Sequence, residues 1–217
     1  MQQVTLVDSG SGNLRSAHKA LVYAADMAQK PTEVTVSMDP DAVRRADRVV
    51  LPGQGAFGDV MAGLDRVEGL RAALVEAAVD RARPLLGICV GMQLFADRGL
   101  EHGEHCGLGW IPGTVARIAP DDASLKIPHM GWNALRFTDA GRRHPVLRDV
   151  HDGDHVYFVH SYAFDAVDPA TVLASVDYGG DITGIVGRDT LIGMQFHPEK
   201  SQQTGLTLLA GFLSWSP

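Results

Sequence analysis

Apolar and polar residues follow two different patterns along the chain, and the change falls near the middle. In the first half, short apolar runs of β type alternate with segments of helical periodicity. This order is typical of a mostly parallel sheet with helices on both faces. It predicts strands at residues 4–7, 33–36, 48–51 and directly before residue 89, and helices at residues 14–25, 57–64 and 69–82.

The second half contains many short β-type runs separated by turn residues, and little helix. The runs occupy residues 115–118, 132–137, 156–162, 172–177, 182–186 and 191–196, and a final helix is predicted at 202–213. We therefore expect an α/β fold with a mostly parallel central sheet, flanked by helices, to which the second half adds antiparallel strands. With 217 residues, 45% of them hydrophobic, the chain is expected to form a single domain, residues 1–217.

One apolar run leads into a cysteine between two glycines. Gly87 and Gly91 lie two residues before and two residues after Cys89. This spacing is typical of a nucleophile elbow, a sharp strand-to-helix turn that holds the central side chain at the top of a sheet, here with a thiol in place of a hydroxyl. The first N–H groups of the following helix would favour the thiolate and help to bind an oxyanion. The pattern predicts acyl chemistry through Cys89, and a buried structural cysteine is the alternative.

A second motif, Gln195-Phe196-His197-Pro198-Glu199, follows a strand-like run near the C-terminus. In an extended segment residues i and i+2 share a face, and proline favours an extended chain. The imidazole of His197 and the carboxylate of Glu199 are therefore expected to lie side by side. They would supply a base and its orienting group for the thiol, as in a Cys-His-acid triad. Taken alone, the motif is more often a surface turn, and the cysteine motif is what favours the triad.

Together the two motifs resemble those of the class I (triad) glutamine amidotransferases, whose domain hydrolyses glutamine to glutamate and ammonia. Three further stretches are similar to the glutaminase subunits of imidazole glycerol phosphate synthases, which act in histidine biosynthesis. These stretches are VDSGSGNL, IPHMGWN and YFVHSY, at residues 7–14, 127–133 and 157–162. The resemblance extends from Val4 to about Phe212.

The resemblance implies a catalytic role for five residues. Cys89 would be the nucleophile, His197 the base and Glu199 the acid that orients it. The oxyanion hole would be formed by backbone N–H groups at Gly53 and Val90. Gly53 follows a predicted strand, so we expect it at the same sheet edge as Cys89.

The resemblance also implies binding surfaces for L-glutamine and for a protein partner. Gln93 lies one helical turn after Cys89, where its amide can pair with the α-amino or carboxylate group of the substrate. The other glutamine-binding residues would be Glu101, His160, Ser161 and Tyr162. The partner would be a (β/α)₈-barrel synthase subunit, forming a heterodimer and receiving ammonia through an internal channel. Its interface would include Asn13, Pro128, His129, Met130, Gly131 and Trp132. No cofactor is expected.

Three functional interpretations remain open. The first is the histidine-pathway glutaminase. The second is a paralogous glutaminase that feeds ammonia to a different synthase, such as one that makes an amidino sugar. The third is a catalytically silent domain that only binds and regulates the barrel, although the intact Cys-His-Glu set argues against it. One departure bears on basal activity: Gln54 stands where relatives usually carry valine.

Charge and composition exclude other classes. The formal charge of −7 argues against nucleic acid as a partner. No run approaches the ~20 apolar residues that span a bilayer, and no signal segment is evident, so a cytoplasmic location is expected. His151, His155 and His160 do not match a metal-ligand spacing. The loop at residues 9–13 lacks the full pattern of a dinucleotide or phosphate loop and is predicted to be a tight turn near the partner surface. Cys106 is expected to be a bystander.

Overall fold

The computed structural model describes residues 1–10 and 12–217. Ser11, which belongs to the turn predicted at residues 9–13, lies outside the described residues. The strands are β1 (Gln2–Val7), β2 (Thr32–Ser37), β3 (Arg48–Gly53), β4 (Leu85–Cys89), β5 (Arg98–Gly99), β6 (His105–Cys106), β7 (Gly113–Arg117), β8 (His129–Ala134), β9 (Arg136–Phe137), β10 (His155–His160), β11 (Tyr162–Ala166), β12 (Val172–Asp177), β13 (Asp181–Arg188) and β14 (Leu191–Met194). The helices are α1 (Leu14–Met27), α2 (Pro40–Arg45), α3 (Phe57–Asp65), α4 (Leu70–Val75), α5 (Val90–Gln93), α6 (Asp139–Arg143) and α7 (Gln202–Ser214).

Within residues 1–10 and 12–217, eight strands form the central sheet, in the order β2-β1-β3-β4-β14-β13-β12-β9. The pairings from β2 to β14 are parallel, and those of β13, β12 and β9 are antiparallel. The fold is therefore α/β with a mostly parallel sheet and antiparallel additions from the second half, which confirms the predicted fold class.

The three central strands are buried along their whole length. β3, β4 and β14 show no exposed residue, and this explains why they are nearly continuous apolar runs in the sequence. On the flanking helix α1, the buried positions recur every three or four residues, which is the spacing of one helical face. They are Ala17, Ala20, Leu21, Ala24 and Ala25.

The carboxyl ends of the central strands meet at one edge of the sheet. Gly53, the last residue of β3, is in register with Cys89, the last residue of β4. Met194, the last residue of β14, pairs with Ile88. The loop after β3, the turn after β4 and the segment after β14 consequently start side by side, at the edge where α/β sheets usually bind ligands.

Two predicted strands prove to be two strands each. The run at 132–137 divides into β8 and β9, and the run at 156–162 divides into β10 and β11. β8 pairs with β10 in a two-stranded sheet, whereas β11 joins β7, β5 and β6 in a four-stranded sheet. Periodicity shows that a segment is extended but not which neighbour it pairs with, so the changes of sheet were not predicted.

Short elements were also missed. α2, α6, β5 and β6 have no counterpart in the prediction, and the predicted helix at 69–82 becomes α4 followed by a π-helical turn, Glu76–Asp80. A signal for α2 was present, because Asp39 caps its first turn and Pro40 occupies its first position. Among the described residues, no helix is long and apolar enough to cross a membrane.

Candidate active site

Cys89 lies at the turn between β4 and α5 in an uncommon backbone conformation. Its φ is 53° and its ψ is −114°, a combination that costs on the order of 1–3 kcal/mol and is enriched at functional sites. Both neighbouring glycines are required by close packing. A Cβ on Gly91 would lie 1.9 Å from the carbonyl oxygen of Leu51, and one on Gly87 would lie 2.7 Å from that of Gly91. The predicted strand-to-helix turn is thus confirmed, although the helix is only one turn long.

His197 and Glu199 form a buried pair behind the turn. Nδ1 of His197 and Oε1 of Glu199 are 2.8 Å apart, and the two side chains are 5% and 4% exposed. The segment is held in place because the backbone N–H of His197 donates to Tyr157 O and the Ser201 hydroxyl donates to His197 O. Pro198 starts a 3₁₀ turn, Pro198–Lys200. The side chains therefore meet through a turn, not through the extended segment that the sequence predicted.

The pKa of His197 is raised to about 9. Burial by itself would lower the pKa of this imidazole, because a low-dielectric interior disfavours the charged ring. The interactions with Cys89 and then with Glu199 outweigh burial and favour the imidazolium. Nε2 of His197 meets the geometric criteria for a hydrogen bond with no described residue, yet the interaction of the ring with the Cys89 thiol is the largest of those that raise its pKa. The result is a protonated imidazole beside the thiol.

Two glutamine side chains connect the thiol to the wall of the site. Nε2 of Gln93 donates to Oε1 of Gln195 and to the backbone carbonyl of Tyr162, each at 3.0 Å. Nε2 of Gln195 lies 3.7 Å from Sγ of Cys89. Sequence reasoning assigned no role to Gln195. The sequence did contain a signal for a buried polar role of Gln195. This residue lies between the apolar Met194 and Phe196 and is buried with them, so its amide must find hydrogen-bond partners inside the protein.

Two further histidines, His129 and His160, form a pair of which His160 lines the cavity. Nδ1 of His160 is 2.9 Å from Tyr162 O, and Nε2 of His160 is 2.9 Å from Nδ1 of His129. Because a carbonyl only accepts, Nδ1 of His160 carries the proton, and Nε2 of His160 must accept from Nδ1 of His129. The amide of Asn133 completes the chain at Nε2 of His129, at 3.3 Å. Burial lowers the pKa of both imidazoles to about 4.

A cavity of about 450 Å³ opens over the thiol. It brings together eight of the predicted catalytic and glutamine-binding residues: Cys89, Val90, Gln93, Glu101, His160, Ser161, Tyr162 and His197. Glu199 lies behind the imidazole. Oε2 of Glu101 accepts the N–H of Phe57 at 2.9 Å, so this carboxylate also fixes the start of α3.

The glycine-containing loop after β3 forms another part of the wall. A Cβ on Gly53 would lie 2.6 Å from the backbone nitrogen of Gly91, which places this residue directly against the turn that carries Cys89. Gly55 has a φ of +100°, a conformation that favours glycine. Gln54 is exposed and lines the cavity.

The predicted partner residues divide into exposed and buried positions. Met130 and Trp132 are 65% and 46% exposed, and they alternate on β8 with His129, which is only 3% exposed. His129 therefore lies beneath the exposed face that Met130 and Trp132 form. Asn13, Pro128 and Gly131 complete the predicted set: Asn13 is exposed and caps α1, Pro128 is exposed and reaches the cavity, and Gly131 is partly exposed.

No group of three potential ligands suitable for a metal ion occurs within the described part of the chain. Of the histidines excluded as metal ligands in the sequence, His151 and His155 are exposed, whereas His160 is buried. Cys106 is exposed, in β6.

Comparison with known proteins gives concordant results. The family model for glutamine amidotransferase class-I matches residues 5–214. The imidazole glycerol phosphate synthase subunit HisH of Rhodospirillum rubrum is 57% identical over 215 residues, which cover 99% of this chain and 100% of that protein. The subunit HisH of Rhodopseudomonas palustris is 55% identical over 217 residues, with 99% of each chain covered.

Solved structures share the fold at low sequence identity. The glutaminase domain of a Trypanosoma brucei CTPS has a TM-score of 0.67 at 14% identity, covering 98% of this chain and 94% of the other. A glutamine amidotransferase from Thermotoga maritima has a TM-score of 0.63 at 17% identity, covering 94% of this chain and 78% of the other.

Proposed function

The chain belongs to the class I glutamine amidotransferase family, and we propose that it is the glutaminase subunit of an imidazole glycerol phosphate synthase. Identities of 55–57% over nearly the full length of curated HisH subunits support this function. The observation that carries the chemical assignment is the meeting of Cys89, His197 and Glu199 at one sheet edge, with the 2.8 Å contact between the last two.

The reaction begins with attack by the Cys89 thiolate on the side-chain carbonyl carbon of glutamine. As the C–S bond forms, the carbonyl oxygen takes the negative charge, which the backbone N–H groups of Gly53 and Val90 would stabilise as the oxyanion hole. The His197 imidazolium then protonates the amide nitrogen, the C–N bond breaks and ammonia leaves. The raised pKa of His197, about 9, supports this role because it keeps the ring protonated beside the thiolate.

Hydrolysis of the glutamyl thioester restores the enzyme. The imidazole of His197, now neutral, takes a proton from water while the water oxygen attacks the thioester carbon. The C–S bond breaks, the new carboxyl group loses the remaining water proton to solvent, glutamate is released, and the thiolate re-forms beside the imidazolium. Throughout both steps, the carboxylate of Glu199 holds Nδ1 of His197 and stabilises its positive form.

Gln93 and Glu101 would select the amino-acid end of the substrate. Both hydrogens of the Gln93 amide are used on Tyr162 O and Gln195 Oε1, so toward the cavity this side chain can only accept a hydrogen bond. It therefore suits the α-ammonium group of glutamine and not the carboxylate, which narrows the expectation from the sequence. The carboxylate of Glu101 also favours the α-ammonium group, because it accepts hydrogen bonds and is negatively charged. Ser161 and Tyr162 line the same cavity and would complete the contacts with the substrate.

The partner in this proposal is a (β/α)₈-barrel synthase subunit that receives the ammonia. It adds ammonia to phosphoribulosyl-formimino aminoimidazole carboxamide ribonucleotide, giving imidazole glycerol phosphate and an aminoimidazole carboxamide ribonucleotide. Exposed Met130 and Trp132, on the strand next to the cavity, support a docking surface here. Internal transfer matters because ammonia released into water would be protonated and lost as a nucleophile.

The test is to reconstitute the chain with the barrel subunit of a histidine-pathway synthase and to measure product formation from glutamine and from ammonia. Cys89→Ala should abolish the glutamine-dependent reaction and leave the ammonia-dependent reaction nearly intact, because the synthase chemistry belongs to the other subunit. Cys106→Ser is the control, expected to change turnover less than about threefold, or ~0.7 kcal/mol of barrier. Glutamate release should also rise when barrel and ribonucleotide are added to the isolated chain.

Two outcomes would contradict the proposal. Substantial glutamine hydrolysis by Cys89→Ala would exclude Cys89 as the nucleophile. An active glutaminase that neither binds the barrel nor responds to the ribonucleotide would indicate a paralogue that serves a different synthase.

A further inference from the structure

Gln195 is a fully buried polar residue next to the thiol, and the reaction described above does not use it. Its side chain is 0% exposed. Its amide nitrogen lies 3.7 Å from Sγ of Cys89, and its amide oxygen accepts from Gln93 at 3.0 Å. The backbone N–H of Gln195 donates to Gly184 O on β13, so the residue is anchored in the central sheet.

The orientation of the Gln195 amide follows from its neighbours. The carbonyl of Tyr162 can only accept, so the group of Gln93 that contacts it at 3.0 Å must be the NH₂ group. The same NH₂ group contacts the side chain of Gln195, which must therefore present its oxygen there. The group of Gln195 that remains for Cys89 is its NH₂. The reversed amide would set two NH₂ groups against each other and place an oxygen on the sulfur.

A hydrogen-bond donor at this position would stabilise a thiolate that is largely shielded from water. Cys89 is only 5% exposed, so few water molecules can solvate a negative sulfur. An anion that loses water needs hydrogen bonds or charges from the protein, and a donor to a charged group contributes about twice as much as a donor to a neutral one. His197 supplies a charge, and its Nε2 makes no hydrogen bond with any described residue.

We propose that Gln195 is a positioning residue, which donates its amide N–H to the Cys89 sulfur and so stabilises the thiolate and holds it toward the cavity. The inference rests on the proposed function, in which Cys89 is the nucleophile. Gln93 and the carbonyl of Tyr162 fix the direction of this donor. Both line the cavity, so the groups that contact substrate also set the hydrogen bond to the sulfur.

The experiment compares the reactivity of the sulfur in matched variants. All are made in a Cys106→Ser background, where Cys89 is the only remaining cysteine of the two. Gln195→Met keeps the length of the side chain and removes the donor. Thr190→Val is the control, because Thr190 is 9% exposed, precedes the same strand β14 and loses one buried hydrogen bond, to Ala78 O, at the opposite end.

The measurement is the rate of alkylation of Cys89 by iodoacetamide between pH 5.5 and 9, followed by mass spectrometry of the intact chain. In Gln195→Met, the pH profile of alkylation should move to higher pH by roughly one to two units, the size expected for a lost hydrogen bond to a charged group. In Thr190→Val it should not move. With the barrel subunit bound, kcat of Gln195→Met should fall about 10- to 100-fold, and KM should rise as well, because Gln93 loses the acceptor that orients its amide.

Gln195→Glu provides a second test if Gln195→Met does not fold. A carboxylate cannot donate and repels the thiolate, so the profile should move at least as far as in the methionine variant. A profile that stays in place in a folded variant, or that moves equally in Thr190→Val, would overturn the proposal. Alkylation does not require turnover, so this result stands apart from the Cys89→Ala test, whose failure would instead refute the glutaminase mechanism.

Discussion

His197 and His160 line the same cavity, and both residues are buried, at 4% and 6% exposure. Their pKa values nevertheless differ widely, about 9 for His197 and about 4 for His160. Burial disfavours the charged form of both rings. The difference comes from their partners. His197 faces a carboxylate and a thiol, whereas His160 faces a carbonyl and a second neutral histidine.

The comparison shows that burial does not decide the charge of an active-site histidine here. His197 holds a proton for transfer, whereas His160 and its partner His129 are neutral rings whose tautomers are fixed. In both neutral rings Nδ1 carries the proton. The series of hydrogen bonds from Asn133 through His129 and His160 therefore ends on Tyr162 O, and every donor in it faces an acceptor. The neutral pair organises the backbone of the cavity, and the charged residue is the one placed beside the thiol.

Removing the charged imidazole of His197 should have the largest effect on glutamine-dependent turnover. His197→Asn retains a polar side chain but has no group that can carry the proton between thiol, ammonia and water. Glutamine-dependent turnover should fall by at least about 10³-fold. Ammonia-dependent synthesis by the complex is the control and should be nearly unchanged. A glutamine-dependent rate within tenfold of the parent would show that another residue transfers the proton.

Neutralising the partner of the charged ring should have the next largest effect. Glu199→Gln can still hold the imidazole of His197 but no longer stabilises its positive charge, so the rate should fall by about 10²-fold, less than in His197→Asn. The pKa of His197 should fall below about 9, since one of the two interactions that raise it is weakened. Steady-state kinetics and NMR titration of the ring measure the two effects. If Glu199→Gln were as active as the parent, the third member of the catalytic triad would have to be a different residue.

Breaking the neutral pair should affect stability more than chemistry. His129→Phe preserves the stacking on Phe158 and Tyr178, at 4.7 and 4.0 Å, but removes the hydrogen bond to His160. The free energy of unfolding should fall by about 1–3 kcal/mol, because a buried acceptor is left unpaired. Urea unfolding provides the measurement, and kcat should change only a few-fold. A large loss of kcat at unchanged stability would instead give this pair a direct chemical role.

The same variant tests the sign of the pH dependence. The folded pKa of His129 and His160, about 4, lies below the unfolded value of 6.5, so the unfolded chain binds more protons between these limits. Their contribution to stability is therefore complete above pH 6.5 and is lost as the pH falls toward 4. His197 behaves oppositely, and its contribution is lost as the pH rises from 6.5 through about 9. His129→Phe should flatten only the acid side of the stability profile.

Much of the site could be predicted from local sequence because its key residues lie on short, constrained segments. The glycines around Cys89 are needed where backbones approach within a few ångströms, and that requirement appears directly as a spacing. His197 and Glu199 are two residues apart, so their contact is local, although a 3₁₀ turn and not an extended chain produces it. The resemblance placed the whole stretch at residues 127–133 at the partner interface and did not separate its two faces. A start at His129 puts Met130 and Trp132 on one face and His129 on the other.

The sequence by itself determined the parallel core, the turn that carries Cys89 and the pairing of His197 with Glu199, because each depends on residues close together in the chain. Only the tertiary structure decided the partners of Gln195, the neutral state of His129 and His160, and the division of the second half among three sheets. These depend on contacts such as Gln93 with Gln195, which are 102 residues apart. Burial and hydrogen bonding between distant segments set them, and no local pattern records which segments will meet.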